Sequence, residues 1–131
     1  MTEIWSGWPF FTKKEMRCRC GCEGLPQDSF MKKLVTARQD AAFPFVITSG
    51  FRCAEYNRQV STSGDNSPHV LGLAADVQIY GERAFNIVDL GILHGMTGIG
   101  VSQKGELAKR FIHLDSVKTE DGIERPRIWS Y

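Results

Sequence analysis

The sequence predicts an α+β fold, a small and mostly antiparallel sheet with helices packed on one of its faces. Apolar residues recur at helical spacing in two long stretches, which predicts two amphipathic helices. Several short runs rich in β-branched residues instead alternate apolar and polar positions, as half-buried strands do. No internal repeat, linker or low-complexity tract separates these segments, and 131 residues suit one core, so we expect a single domain over residues 1–131.

Two helices are predicted in the first third of the chain. Thr12 is followed three residues later by Glu15, a capping-box pattern that begins a short helical turn. Asp28 or Ser29 then caps a longer helix, which ends before Pro44. The apolar positions of this longer helix repeat at helical spacing and are Phe30, Leu34, Ala37 and Ala41.

Two more helices are predicted further along the chain. Residues 54–60 form a short helix, and residues 61–68 form a loop by their content of Ser, Gly, Asn and Pro. Residues 82–95 form a longer helix, in which Phe85, Val88 and Ile92 give a broad apolar face. We expect the two long helices to lie on the sheet through their apolar faces.

Five segments have the character of strands. The segment FVITSGF is rich in β-branched and aromatic residues up to Gly50, which predicts a central strand. In AADVQIY, alternation buries the aliphatic positions and turns Asp76 to the opposite face. In RFIHLD, the same alternation turns His113 and Asp115 away from the core. The segments TGIGV and RPRIW predict two shorter strands.

The composition argues against several classes of partner. Sixteen Lys and Arg against fifteen Asp and Glu give a formal net charge of +1 without a basic block, so we expect no nucleic-acid partner. The apolar runs fall short of the roughly 20 residues of a membrane helix, and the N-terminal segment lacks the pattern of a secretory signal. We therefore expect synthesis in the cytoplasm, no membrane insertion and a monomer. The aromatic residues near the N-terminus either form a platform for the cell wall or pack onto the core, and they are Trp5, Trp8, Phe10 and Phe11.

The four cysteines are Cys18, Cys20, Cys22 and Cys53. On an extended segment the first three point to one side, where they could meet the fourth and form a structural thiolate site for zinc. Their spacing differs from the two-residue knuckle of usual structural zinc sites. Reduced thiols, or one bridge to Cys53 in an oxidising compartment, are the other interpretations, and the state of the cysteines stays open.

His69, Asp76 and His113 are a chemically suitable set of zinc ligands on loop and strand positions. Two neutral imidazoles and one carboxylate leave a fourth coordination position for water. Zinc lowers the pKa of such a water to about 7 and polarises a carbonyl, so an amide can be attacked at neutral pH. The alternative is that the histidines are hydrogen-bonded structural residues and that the aspartate caps a strand entry.

Three motifs of the chain resemble those of one enzyme family. The segment SPHVLGLAAD is similar to the Ser-x-His-x-x-Gly-x-Ala-x-Asp signature of the D-alanyl-D-alanine carboxypeptidase family of zinc peptidases, whose group includes the hedgehog signalling domain. The segment SGFRCAEYN resembles that family's Ser-Gly-Tyr-Arg segment, and FIHLD resembles the strand that carries its last histidine. The resemblance extends from the cysteines to Trp129, and it implies a fold like that of hedgehog and the DD-peptidases.

The resemblance implies a role for each matching residue. His69, Asp76 and His113 correspond to the ligands of one catalytic zinc ion. Arg52 corresponds to an arginine that binds a substrate carboxylate or the developing oxyanion, a role that suits the fork of donors on a guanidinium. Ser67 is implied in substrate binding by its place in the first motif.

The general base is the part of the family pattern that this chain does not match. Many relatives have an acidic residue three positions before the last histidine, and this position is Arg110 here. Asp115 is the best substitute on the His113 face, about 6 to 7 Å along the strand, and its alternative role is to orient a ligand. Glu106 is the second candidate, although its polar loop is typical of a solvated residue.

The resemblance implies a zinc-dependent peptidase that hydrolyses peptide bonds in peptidoglycan stem peptides or cross-links, as a carboxypeptidase or an endopeptidase. A small chain without a signal suits a lysis enzyme of phage origin that reaches the bacterial cell wall in the periplasm after release or delivery. The alternative from another class is a non-catalytic zinc module that uses the same cleft for binding.

Overall fold

The computed structural model describes residues 8–131 and places a five-stranded sheet at the centre of this part of the chain. Its strands are β1 (Val46–Ser49), β2 (Ala74–Gln78), β3 (Gly98–Ser102), β4 (Phe111–Asp115) and β5 (Arg127–Ser130). Their order in the sheet is β1-β2-β4-β3-β5. Three of the pairings are antiparallel, and β3 pairs with β5 in parallel. The α+β prediction with a mostly antiparallel sheet is therefore confirmed.

Four α-helices accompany the sheet in the described residues. They are α1 (Lys13–Met16), α2 (Asp28–Ala41), α3 (Ala54–Val60) and α4 (Gly81–Leu93). The predicted cap of α1 is confirmed, because the backbone N–H of Glu15 donates to the Thr12 hydroxyl at 3.2 Å. Both predicted caps of α2, Asp28 and Ser29, are wrong, since Gln27 occupies the N-cap position and its side chain makes no capping hydrogen bond. Two single turns of 3-10 helix, Leu107–Lys109 and Thr119–Asp121, precede and follow β4.

The main hydrophobic core lies between one face of the sheet and the helices α2 and α4. The sheet contributes the alternating aliphatic residues of β2 and β4, and the helices contribute large side chains with no exposed surface. The most deeply buried of these are Val77, Ile112, Leu114, Phe30, Leu34 and Ile87. Because side chains alternate along a strand, the residues between them in β2 and β4 face the opposite side of the sheet. That opposite side carries the candidate site.

The strand β1 lies at an edge of the sheet, so the prediction of a central strand is wrong. Val46 is 52% exposed, whereas Ile47 is buried. Only one side of β1 is paired, with β2, and a register shift between Ile47 and Ser49 bends the pairing. A rich content of β-branched residues therefore marked a half-buried edge strand here, not an interior one.

The packed face of α4 matches the predicted one only in part, since Val88 packs against the core as expected. Ala84, Ile87 and Gly91 are buried, whereas Phe85 is 75% exposed. The small residues allow a close approach to the sheet, because a Cβ atom on Gly91 would lie only 3.1 Å from Cδ2 of Leu114. An assignment by hydrophobicity alone overlooks such small residues, which is why the prediction chose Phe85.

The N-terminal aromatic residues do not form one surface in the described part of the chain. Phe11 is buried in the core and Phe10 is exposed, while Trp8 packs against the core as a partly buried residue. Trp5 lies outside the described residues. Over residues 8–131, no helix combines the length and the apolar character that a membrane crossing needs.

Two substitutions on α4 test which of its faces is buried. Ile87→Ala removes a fully buried side chain, and we expect it to lower the free energy of unfolding by about 2–5 kcal/mol. Phe85→Ala removes a larger but exposed side chain from the same helix, and we expect a change within about 0.5 kcal/mol. Urea denaturation of the two variants measures the difference. A larger loss in Phe85→Ala than in Ile87→Ala would contradict the packing of α4.

Candidate metal centre

His69, Asp76 and His113 converge on the face of the sheet that lies opposite the main core. One ligand atom from each residue lies within 4.8 Å of the other two. Oδ1 of Asp76 lies 3.3 Å from Nε2 of His69 and 3.0 Å from Nδ1 of His113. Zinc bonds of about 2.0–2.1 Å in a tetrahedron separate two ligand atoms by roughly 3.3 Å. The three side chains thus have the donor types and the spacing of a tetrahedral zinc site with one open position.

Strand pairing and one turn bring these residues together. Asp76 on β2 stands directly opposite His113 on β4 in the antiparallel register. His69 lies in the turn before β2, where the N–H of Gly72 donates to the carbonyl oxygen of His69 at 3.2 Å. Gly72 has φ +75°, which favours glycine, so this residue serves the turn. The first motif therefore joins one ligand in a turn to a second ligand on a strand.

Each histidine makes a hydrogen bond through the ring nitrogen that faces away from Asp76. Nδ1 of His69 lies 2.7 Å from the carbonyl oxygen of Gly50, which can only accept. Nε2 of His113 lies 2.7 Å from Oδ2 of Asp115. When these nitrogens donate, Nε2 of His69 and Nδ1 of His113 carry the free lone pairs that a metal requires. The partners of the histidines thus select the ring nitrogens that face Asp76.

Asp115 is held by several donors and has no exposed surface. Arg125 binds both of its carboxylate oxygens, with Nε at 3.0 Å and Nη2 at 2.8 Å. The backbone N–H of Val117 donates to Oδ1 at 3.2 Å. The carboxylate also fills the space above Gly98 on the neighbouring strand, where a Cβ atom would overlap it. Asp115 therefore connects His113 to a buried arginine.

The electrostatic environment keeps both aspartates ionised. Burial by itself would raise the pKa of Asp76, but the electrostatic interaction with His69 and hydrogen bonds with both histidines hold it well below its usual range. Burial likewise opposes ionisation of Asp115, and hydrogen bonds with His113 and Arg125 lower its pKa. Burial would lower the pKa of His113, whereas its hydrogen bonds to Asp115 and Asp76 raise it. Asp76 is thus ready to bind a cation without first releasing a proton.

A cavity of about 720 Å³ opens beside the three residues. Its lining includes cationic and aromatic side chains, among them Arg52, Arg125, Arg127, Phe111, Trp129 and Tyr131. Arg52 donates to Ser49 at 3.1 Å and to Asn57 at 3.3 Å, and its Nη2 lies 3.7 Å from Oδ2 of Asp76. Ser67 is buried and also contributes to the lining. The predicted residues Arg52 and Ser67 thus lie in the same cavity as the three candidate ligands.

Neither candidate for the general base, Asp115 or Glu106, contributes to the lining of the cavity. Glu106 is exposed in its loop and does not contribute to the lining, and Asp115 is buried behind His113. Arg110, which replaces the acid of the family pattern, donates from Nε and Nη2 to the carbonyl oxygen of Gly105. Among the described residues, Asp76 is the one carboxylate in the cavity lining.

One residue of the site, Arg125, was not assigned from the sequence, and the role of Trp129 was left open there. Arg125 stands in a polar loop without a motif, so no signal identified it as the partner of Asp115. Trp129 lies with its ring centre 5.2 Å from that of His113. Gly100 on β3 pairs with His113 on β4 and with Trp129 on β5. A Cβ atom on Gly100 would lie 2.9 Å from the Trp129 ring. The glycines of TGIGV are therefore the signal that side chains meet across β3.

A family model described as Peptidase M15 matches residues 9–115. The chain belongs to the peptidase M15 family. The match spans all three candidate ligands and Arg52, and it confirms the family that the motifs resembled. M15 peptidases are zinc-dependent hydrolases, and the His-Asp-His set of this member has the chemistry that such an ion requires. No curated protein matches the chain.

The Asp115–Arg125 pair of this M15 member gives a testable prediction. We expect Asp115→Asn to weaken zinc binding about 10- to 100-fold, because the amide no longer fixes the His113 ring as a carboxylate does. Competition with a chelator of known affinity measures the zinc affinity. The ion concerned is the one bound by the His69–Asp76–His113 set, which is identified by its loss in His69→Ala. Asp89→Asn, an exposed acid on α4, is the matched control and leaves that affinity unchanged. Wild-type affinity in folded Asp115→Asn would contradict the orienting role.

Proposed function

We propose that the chain is a zinc metallopeptidase that hydrolyses peptide bonds in peptidoglycan stem peptides or their cross-links, as a DD-carboxypeptidase or an endopeptidase. The observation that carries the proposal is the His69–Asp76–His113 set, which has zinc-like spacing and opens onto a cavity with Arg52 beside it. A zinc ion held by these three residues would supply a water of lowered pKa and polarise the scissile carbonyl. The peptidase M15 match supports the same reaction class.

The cavity suits a short peptide that carries carboxylate groups. Its volume of about 720 Å³ is within the range of sites for small ligands. The guanidinium of Arg52 is oriented by Ser49 and Asn57, and it lies close to Asp76. From there it can bind a substrate carboxylate or the oxyanion that forms on the carbonyl. Arg127 adds a second positive charge to the lining. Stem peptides are rich in carboxylates, which is the chemistry that these cations recognise.

We assign Asp115 to positioning His113 and not to proton transfer. Both oxygens of its carboxylate are engaged by Arg125, and the side chain has no exposed surface from which to reach a substrate. His113 contributes to the cavity lining, whereas Asp115 lies behind its ring and does not. Glu106 remains the second candidate for the base, although its exposed loop position gives it no support.

A non-catalytic zinc module is the second candidate function. The observation that favours it is the cavity lining, where the described residues provide no carboxylate other than Asp76. The position that carries an acid in many relatives is Arg110, whose guanidinium is bound to its own loop. In this alternative the cations and Trp129 would hold a peptide without cleaving it.

The proposed setting is lysis of the bacterial cell wall by an enzyme of phage origin that acts as a monomer in the periplasm. Its support is the resemblance of the motifs to cell-wall peptidases, together with the cationic cavity.

Digestion of purified peptidoglycan tests the proposed reaction. We expect the zinc-loaded protein to release fragments whose masses, read by mass spectrometry, locate the cleaved bond. His69→Ala loses the activity because a ligand is missing, whereas His94→Ala keeps it, since His94 lies 2.6 Å from Asp40 on α2 and outside the cavity lining. Zinc-loaded wild-type protein that binds the substrate without cleaving it would contradict the enzyme and support the binding module.

Arg52→Lys tests what the guanidinium binds. If Arg52 stabilises the oxyanion, we expect kcat to fall about 100-fold or more, and if it anchors a substrate carboxylate, we expect KM to rise instead. Steady-state kinetics on a soluble stem peptide separate the two effects. Arg58→Lys is the matched control, because Arg58 forms an exposed ion pair with Asp65 at 2.6 Å. Identical kinetics for Arg52→Lys and Arg58→Lys would contradict a role in the site.

A further inference from the structure

The four cysteines form a second cluster of possible metal ligands. Cys18, Cys20 and Cys22 lie in the loop after α1, and Cys53 lies at the start of α3. All four sulfur atoms lie within 4.8 Å of one another. Sγ of Cys53 lies 3.7 Å from that of Cys18 and 3.5 Å from that of Cys20. The cluster shares no residue with the His69–Asp76–His113 set.

The sulfur separations fit a tetrathiolate zinc site. Zinc–sulfur bonds of about 2.3 Å in a tetrahedron separate two sulfur atoms by roughly 3.8 Å. A disulfide requires a separation of about 2.05 Å, and all four thiols are free. Four reduced cysteines at this spacing can bind one cation, which would hold them as thiolates, whereas without a cation they stay protonated.

Backbone N–H groups donate hydrogen bonds to three of the four sulfur atoms. The N–H of Cys53 donates to Sγ of Cys18 at 3.3 Å, and the N–H of Cys22 donates to Sγ of Cys20 at the same distance. The N–H of Tyr56 donates to Sγ of Cys53 at 3.4 Å. Hydrogen bonds of this kind favour the charged form of a sulfur ligand.

A turn, and not an extended segment, brings the first three cysteines together. The N–H of Cys18 donates to the carbonyl oxygen of Gly24 at 3.3 Å, so the loop closes on itself. Gly21 has φ +94° within this loop, a conformation that favours glycine. The expectation of an extended segment is therefore wrong. The turn also explains how single-residue spacing can replace the two-residue knuckle of usual zinc sites.

We propose that Cys18, Cys20, Cys22 and Cys53 bind a second, structural zinc ion as four thiolates. Four protein ligands leave no open position, so this site is closed to substrate. Its binding free energy contributes to folding, because the unfolded chain does not hold the four sulfurs in place.

This zinc ion also fixes the segment that supports the catalytic centre. Cys53 directly follows Arg52, whose backbone N–H donates to the carbonyl oxygen of His69 at 3.2 Å. Gly50 accepts from the His69 ring, and the N–H of Phe51 donates to the carbonyl oxygen of Met16 at 2.8 Å. A clamp between Cys53 and the loop after α1 therefore holds both the partner of His69 and the guanidinium of Arg52 in position.

Metal analysis of purified, reduced protein tests the proposal. We expect two zinc ions per wild-type chain, one in His69→Ala and one in the double variant Cys20→Ser/Cys22→Ser. With Co²⁺ in place of zinc, we expect intense thiolate-to-cobalt absorption in the near ultraviolet that persists in His69→Ala and disappears in the double variant. Because neither readout uses hydrolysis, the proposal can succeed or fail independently of the proposed peptidase activity.

A second experiment covers the case in which the cysteine variants do not fold. Titration of zinc-loaded wild-type protein with a thiol-binding mercurial is expected to release one zinc ion, detected with a metallochromic dye, and to leave the other bound. Three results would overturn the proposal: no zinc released by the mercurial, a mass two hydrogens lower that reveals a disulfide in the purified protein, or iron in place of zinc at the cysteines.

Discussion

The antiparallel register between β2 and β4 is the constraint on which the rest of the site depends. It places Asp76 directly opposite His113 on the face away from the core. Because side chains alternate along a strand, a slip of β2 by one residue would turn Asp76 into the core and bring Val77 into the cavity. Burial of the aliphatic residues of these strands therefore enforces the position of the ligands. The hydrophobic core and the candidate metal centre are two consequences of one register.

Glycines on β3 allow polar and aromatic groups to complete the site from the neighbouring strands. Above Gly98 lies the carboxylate of Asp115, and across Gly100 the rings of His113 and Trp129 approach each other. The ion pair of Asp115 with Arg125 is almost entirely buried, with side-chain exposures of 0% and 4%. Removing one partner of such a pair typically costs about 3–5 kcal/mol, so this support is part of the fold as well as of the site.

Features that depend on local sequence patterns, such as side-chain alternation and helix capping, were mostly predicted correctly. Alternation was sufficient to place Asp76 and His113 on one face of the sheet, and the capping box at Thr12 was sufficient to begin α1. The third candidate ligand, His69, lies in a turn, so its residue type and the family motif identified it, and alternation did not. The edge position of β1 and part of the packed face of α4 were missed, because strand order and helix rotation depend on which small residues allow close packing. Arg125 was missed because its contact with Asp115 arises from the tertiary fold. No motif or regular spacing in the sequence indicates that contact.

We propose above that His69, Asp76 and His113 hold one catalytic zinc ion in the cavity. A crystal structure of the zinc-loaded protein, with anomalous data collected on both sides of the zinc absorption edge, tests it directly. We expect a zinc peak about 2.0–2.1 Å from Nε2 of His69, Oδ1 of Asp76 and Nδ1 of His113, with the fourth position facing the cavity. Absence of zinc from these three atoms in fully loaded crystals, with Asp76 still paired to the two rings, would contradict it.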